Sequence, residues 1–168
     1  MQQAQHMPAQ QQIQDGRNDF DFLIGDWHVH SRRLRERLQG SDAWESFEGQ
    51  FSAQKVLGGL GNMDEVTFER ESGTFRGLTL RLFNPDAQEW SIYWASDANP
   101  TGALDVPMVG KFTDGVGRFY AHETHAGQHV FSRFIWTVIS PDACKWEQAL
   151  SQDGGQTWET NWTMEFTK

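Results

Sequence analysis

The sequence predicts an all-β chain: an antiparallel up-and-down β-barrel of about ten strands, with a short helical turn before the first strand. Three observations lead there. Trp158, Thr160, Trp162, Met164 and Phe166 alternate with Glu159, Asn161, Thr163 and Glu165, a period of two that is apolar on one side and polar on the other. Turn-forming clusters recur along the chain: Gly58-Gly59, Asn84-Pro85-Asp86, Asn99-Pro100, Asp114-Gly115, Pro141-Asp142 and Asp153-Gly154-Gly155. No stretch after residue 25 carries a sustained helical period. Eight Trp and twelve Phe supply rings that fill or line the interior of such a sheet.

The elements follow in order. Met1 to Gly16 is Gln-rich and poor in bulky apolar residues, so residues 1–18 read as a disordered tail and 19–168 as a single barrel domain. Phe20-Asp21-Phe22-Leu23-Ile24 is too short for an ordinary helix and reads as one turn feeding a strand. Strands are expected over 26–38, 44–56, 62–70, 75–84, 88–96, 107–113, 116–124, 129–139, 143–151 and 157–167. Asp114-Gly115, between Phe112 and Val116, fits a two-residue hairpin. Closure into a barrel removes exposed edges, and a sandwich is the competing architecture. Several strands are apolar on both sides, as where Leu78, Leu80 and Leu82 oppose Phe75 and Phe83. A partner subunit covering one such face makes a homodimer an expectation.

Composition narrows the function. A net charge of −9 disfavours an unspecific grip on nucleic acid or anionic membrane. No apolar run approaches the roughly 18 residues of a membrane span. The first residues lack an export signal, and the single thiol, Cys144, leaves no internal disulfide, so the cytoplasm is the expected compartment. Cys144 alternates with Trp146, Gln148 and Leu150 and reads as a small buried hydrophobe.

The one basic cluster is Arg32, Arg33, Arg35 and Arg37. With Trp27 inward, alternation puts Val29, Ser31, Arg33, Arg35 and Arg37 on the same side, apolar first and cationic last. Arg81 and Arg133 join them if their strands are suitably registered. Guanidinium forks facing an apolar tunnel suit a ligand with an anionic head and a greasy body. The alternative is cross-strand pairing with Glu36, Glu45, Glu48 or Glu65. His28 and His30 share a face, and His122, His125 and His129 bracket an expected hairpin turn at Ala126-Gly127. No carboxylate or thiol stands at a recognised metal-ligand spacing, so no metal is expected. Asp64, Glu65, Glu123 and Glu147 are candidates for acid–base work if their register turns them inward. Ser151-x-Asp153-x-Gly155-x-Thr157-Trp158 has the form of an Asp-box, present once only, and reads as a self-capped hairpin.

Phe22-Leu23-Ile24-Gly25-Asp26-Trp27 resembles the Gly-x-Trp start of lipocalins and their calycin relatives, in which a helical turn precedes the first strand and the Trp closes one end of the barrel. In those proteins a basic residue packs on that Trp, and no counterpart is evident in the sequence. With Arg32-Arg33-Leu34, Leu57-Gly58-Gly59-Leu60-Gly61-Asn62, Leu80-Arg81-Leu82-Phe83, Trp90-Ser91-Ile92-Tyr93-Trp94 and Ser151 to Trp158, the chain from about residue 19 onwards resembles a bacterial, lipocalin-like domain-of-unknown-function family, number 1579. The resemblance implies a calycin-like barrel and brings no activity or catalytic residue. Nitrobindins, which bind haem, share the Gly-x-Trp start. The glycine repeat that follows it in them is replaced here by His28-Val29-His30-Ser31, so no cofactor is expected, with haem on His122 or His129 as the alternative.

The function expected from all this is binding of a small apolar or amphipathic molecule, with Trp27, Trp94, Trp136, Trp146 and Trp162 lining or flooring the cavity and Arg33, Arg35 and Arg81 at the polar head. Two other classes fit the same barrel. One is a small isomerase, hydratase or decarboxylase, which a buried carboxyl beside an inward arginine would favour. The other is an interaction module with a filled core.

Overall fold

The computed structural model describes residues 15–168. Among them ten strands follow one another: β1 (Gly25–Leu34), β2 (Trp44–Val56), β3 (Gly61–Arg70), β4 (Gly73–Asn84), β5 (Glu89–Ser96), β6 (Met108–Thr113), β7 (Val116–His125), β8 (Gln128–Ser140), β9 (Ala143–Ser151) and β10 (Glu159–Thr167). Each pairs antiparallel with its neighbours in sequence, and β1 pairs with β10, so the sheet closes with no free edge. Single-turn 3₁₀ helices, Gly16–Asn18 and Asp21–Leu23, precede β1. This is the predicted all-β class, and the closed meander fits a calycin-like fold. No helix among the described residues is long and apolar enough to cross a membrane.

Of the tail expected over residues 1–18, residues 1–14 lie outside the described residues. Residues 15–18 form a turn: the Asp15 side chain accepts from Arg17 N, and Gly16 O accepts from Trp90 Nε1 at 3.0 Å. The turn anchors Phe20, whose ring lies 5.1 Å from Trp90, 4.9 Å from Phe112 and 5.8 Å from Phe119. Phe20 and Leu23 are fully buried and stopper this end of the barrel, which also carries the β2–β3, β4–β5, β6–β7 and β8–β9 links. We call it the floor. The opposite end, the mouth, carries the β1–β2, β3–β4, β5–β6, β7–β8 and β9–β10 links. At the floor Trp27 donates to Leu23 O at 2.9 Å, and Lys168 Nζ lies 4.7 Å from its ring centre. A basic residue thus packs on Trp27, contributed by the last position of the sequence.

Turn chemistry works as the sequence predicts. Asp114 and Gly115 hold φ of 52° and 77°, and Ala126 and Gly127 hold 49° and 78°, the double positive φ of a tight hairpin whose twist matches its strands. The Asp-box hairpin is self-capped: Ser151 Oγ donates to Asp153 Oδ1 at 2.7 Å, Thr157 Oγ1 to Oδ2 at 2.6 Å, and Trp158 Nε1 to Gly155 O at 3.0 Å.

Besides a register shift between Val138 and Ser140 at the floor end of β8, alternation fails in two places that bear on the mouth of the barrel. β1 stops at Leu34, short of the expected 38. Arg35 N still bonds Ala43 O at 2.9 Å, but the chain then bends, and Leu38 adopts φ 58° with its N–H donated to Glu159 at 2.8 Å. In β10 the register slips between Thr160 and Trp162, so two consecutive residues, Asn161 and Trp162, are buried. A bulge re-aims the strand. Trp158 consequently packs outside the barrel, against Phe131 at 5.4 Å and beneath the Arg133 guanidinium at 4.2 Å, and does not share the interior with Trp162.

Candidate functional site

Above the Phe20 stopper the barrel holds a cavity of about 550 Å³, open at the mouth. Its walls come from alternate residues of most strands: Phe51, Val66, Trp94, Phe134, Trp146, Trp162, Met164 and Phe166 give the apolar surface. The rings hold one another edge to face, as in Trp146–Trp162 at 5.4 Å and Phe134–Trp146 at 4.9 Å, each such pair worth about 0.5–1.5 kcal/mol beyond its burial. Trp162 is fixed further by donating Nε1 to Ser31 Oγ at 2.7 Å. Gly77 leaves the space that the Trp94 indole occupies.

Two cationic groups reach the cavity near the mouth. Arg33 lies over the Trp162 ring, 4.7 Å from its centre, and Arg37 is brought in by the bend after β1. Glu45 stands across the ladder from Arg33, yet it is engaged in an ion pair with Arg70. Neither Arg33 nor Arg37 has a carboxylate oxygen within 4.0 Å among the described residues. Burial first, then the like charges of Arg37 and Arg70, pull the Arg33 guanidinium down to about 10. Burial likewise lowers Arg37, against the pull of Glu123 and Glu159. At both arginines burial outweighs the pull of the nearby carboxylates, none of which is in ion-pair contact. Glu123, His125 and Asp105 complete this rim, with Glu123 accepting from the Ser132 hydroxyl.

The floor of the cavity has a different character. Arg81 Nη1 sits 2.6 Å from Asp64 Oδ2 and donates to Asn62 Oδ1 at 2.9 Å, with side-chain exposures of only 3% for Arg81 and 1% for Asp64. The guanidinium carbon lies 5.2 Å from the Phe20 ring centre and 5.6 Å from that of Trp136. Burial pushes the Asp64 carboxyl up from its ordinary value, while Arg81 and Thr79 pull the other way without cancelling it.

Of the residues expected at a ligand, Arg33, Arg81, Trp94, Trp136, Trp146 and Trp162 come together on this cavity. Trp27 does not: it is buried below, under the Asp21–Leu23 turn. Arg35 does not either, because the bend after Leu34 leaves it exposed, and Arg37 takes the inward place. Arg133 lies outside, over the Trp158 ring. The register turns Asp64 and Glu123 inward, whereas Glu147 pairs with Lys145 at 3.1 Å away from the cavity. His122 and His129 bond to each other at 3.1 Å on the outer face, so they do not fit an axial haem ligand inside the barrel. His28 and His30 each lie 2.6 Å from Glu48, also exposed. Among the described residues no group of three or more His, Cys, Asp or Glu is arranged to hold a metal ion.

No protein-family model matches the chain. No curated protein matches it either. Among solved structures, one described as "Structure of EF1p2_mFAP2b bound to DFHBI" is similar over 91% of this chain and 98% of that one, with 12% identity and a TM-score of 0.46. The barrel assignment rests on the strand register itself.

Proposed function

We propose that the barrel binds one small, largely apolar molecule with an anionic head, its body against the indoles and its head at Arg33 and Arg37. The observation that carries this reading is the pair of half-buried guanidinium groups without a carboxylate partner, standing over an aromatic-walled cavity of about 550 Å³. That volume lies within the range of about 300–1,000 Å³ typical of small-molecule sites. Membership of the lipocalin-like domain-of-unknown-function family, a cytoplasmic location, no resident cofactor and a homodimer through the Leu78, Leu80, Leu82 face belong to the same proposal.

Titration with dodecanoic and naphthoic acids should quench Trp fluorescence saturably. Arg33→Ala should weaken these acids by about tenfold or more, and the corresponding alcohols or amides much less. Absence of saturable quenching, or equal losses for acids and neutral analogues, would overturn the proposal. A second reading, a barrel enzyme moving a proton, is favoured by Asp64, a buried carboxyl pushed up beside an inward arginine. It requires solvent deuterium to enter the bound molecule in wild type and not in Asp64→Asn.

A further inference from the structure

The floor carries polar atoms that the protein leaves unanswered. Asp64 Oδ1, Arg81 Nε and Trp136 Nε1 are buried and have no hydrogen-bond partner, and all three residues line the cavity. Each residue is about 2% exposed. Buried polar atoms in native proteins are answered in the great majority of cases, by protein, by water or by a bound group, so three of them facing one cavity mark a place where a water or a polar group of a ligand is held.

The chemistry of that group follows by elimination. An anion is disfavoured, because Asp64 already neutralises Arg81 and a second carboxylate would face a like charge. A cation is disfavoured by Arg81 in the same way. An apolar end would cover two donors and an acceptor without satisfying any of them. A neutral group with one donor and one acceptor fits: its O–H donates to Asp64 Oδ1, and its oxygen accepts from Arg81 Nε or Trp136 Nε1.

We propose that the cavity floor is a second polar subsite, selecting a hydroxyl at the inner end of the ligand whose anionic head is held at the mouth. The ligand class is thus a hydroxy acid with its two polar groups at opposite ends of an apolar body. This rests on the binding reading above and adds to it.

The test compares octanoic, decanoic and dodecanoic acids with their ω-hydroxy and ω-methoxy counterparts by calorimetry. Wild type should bind at least one ω-hydroxy acid about tenfold or more tighter than the plain acid. The methoxy acid, which keeps the acceptor and lacks the donor, should lose that advantage. Replacing the pair together, Asp64→Leu with Arg81→Met, should erase the hydroxyl preference, so that the ratio of ω-hydroxy to plain acid affinity falls to about one. If plain acids bind as tightly as hydroxy acids, or the methoxy acids keep the advantage, the floor subsite is overturned and the mouth reading stands. If none of the acids binds, the mouth reading falls and the floor proposal with it. The wild-type comparison decides the matter even if the double variant does not fold.

Discussion

Removing Asp64 alone should damage this protein far more than removing Asp64 and Arg81 together. Asp64→Leu leaves the Arg81 guanidinium, itself 3% exposed, with Asn62 as its hydrogen-bond partner and no counter-charge at contact distance. Breaking a buried pair in this way costs about 3–5 kcal/mol. For a domain of this size about 1 kcal/mol moves Tm by roughly 2–4 °C, so the fall should be about 6–20 °C, a large part of a total stability of about 5–15 kcal/mol. The double variant Asp64→Leu, Arg81→Met should instead stand within about 1 kcal/mol of wild type or above it. The reason is visible in Asp64 itself. Its carboxyl is pushed up although Arg81 lies 2.6 Å away, so desolvation outweighs the attraction between the partners. Urea unfolding followed by Trp fluorescence, with midpoints compared at constant slope, measures both variants. A single variant within about 1 kcal/mol of wild type, or a double variant no better than the single, would refute the reasoning. The same pair has a pH signature. Because the folded carboxyl titrates above the ordinary 3.8, the folded state keeps a proton that the unfolded chain has released. The stability due to that proton is fully present below 3.8 and is lost as pH rises through the folded value, so wild type should lose ground to Asp64→Asn on going upward through that window.

Three further outcomes follow from other parts of the barrel. Asp153 is held down at about 2, first by the Thr157 hydroxyl and then by Thr157 N; its stabilisation is present above 3.8 and lost as pH falls towards 2, so Asp153→Asn should flatten the acid limb of a pH–midpoint curve, and an unchanged limb would count against the capped hairpin. A methyl group at position 77 would run into the Trp94 ring, so Gly77→Ala should cost about 1–3 kcal/mol and shift the Trp emission, whereas a silent variant would mean that Trp94 is not seated there. Cys144 is buried and its thiol pushed up to about 12 by that burial, so a disulfide reagent in mildly alkaline buffer should label it only in step with unfolding; prompt labelling of the folded protein would contradict its buried place opposite Phe166.

The strands and their turns were legible because each is decided locally. A positive φ at Asp114-Gly115 or Gly154-Gly155 is a property of those residues, and alternation such as Phe75, Gly77, Thr79, Arg81, Phe83 needs only one buried face. What failed were single-residue events. The bend after Leu34 sends Arg35 out and Arg37 in, and the bulge at Asn161 turns Trp158 outside. Neither interrupts the hydrophobic pattern, since Arg35 and Trp158 stand where an uninterrupted strand would also put a residue of that kind. Lys168 over Trp27 escaped notice for a related reason: the pair joins the two extremes of the barrel domain, and nothing near Lys168 points to its partner.

The difference between the two arginine sites was beyond any local pattern, because it depends on the shear of the whole sheet. From Arg33 at the mouth, the ladder runs through Trp162, Gln148, Phe134, Phe119, Gly110 and Trp90 to Phe83, beside the Phe20 stopper. Seven cross-strand steps, short of a full circuit of the ten strands, therefore descend from one end of the barrel to the other. Arg33 and Arg81 are both inward residues of inward-facing series, and alternation makes them equivalent. The tilt separates them, setting Arg81 at the stopper with Asp64 and leaving Arg33 at the opening with its cross-strand Glu45 drawn to Arg70. An interior whose arginine is ion-paired at the closed end and whose arginines stand without a contact ion pair at the open end gives a guest a direction. Binding should accordingly be oriented: a molecule with the right groups in the reverse order would place an anion beside Asp64 and leave Arg33 unanswered.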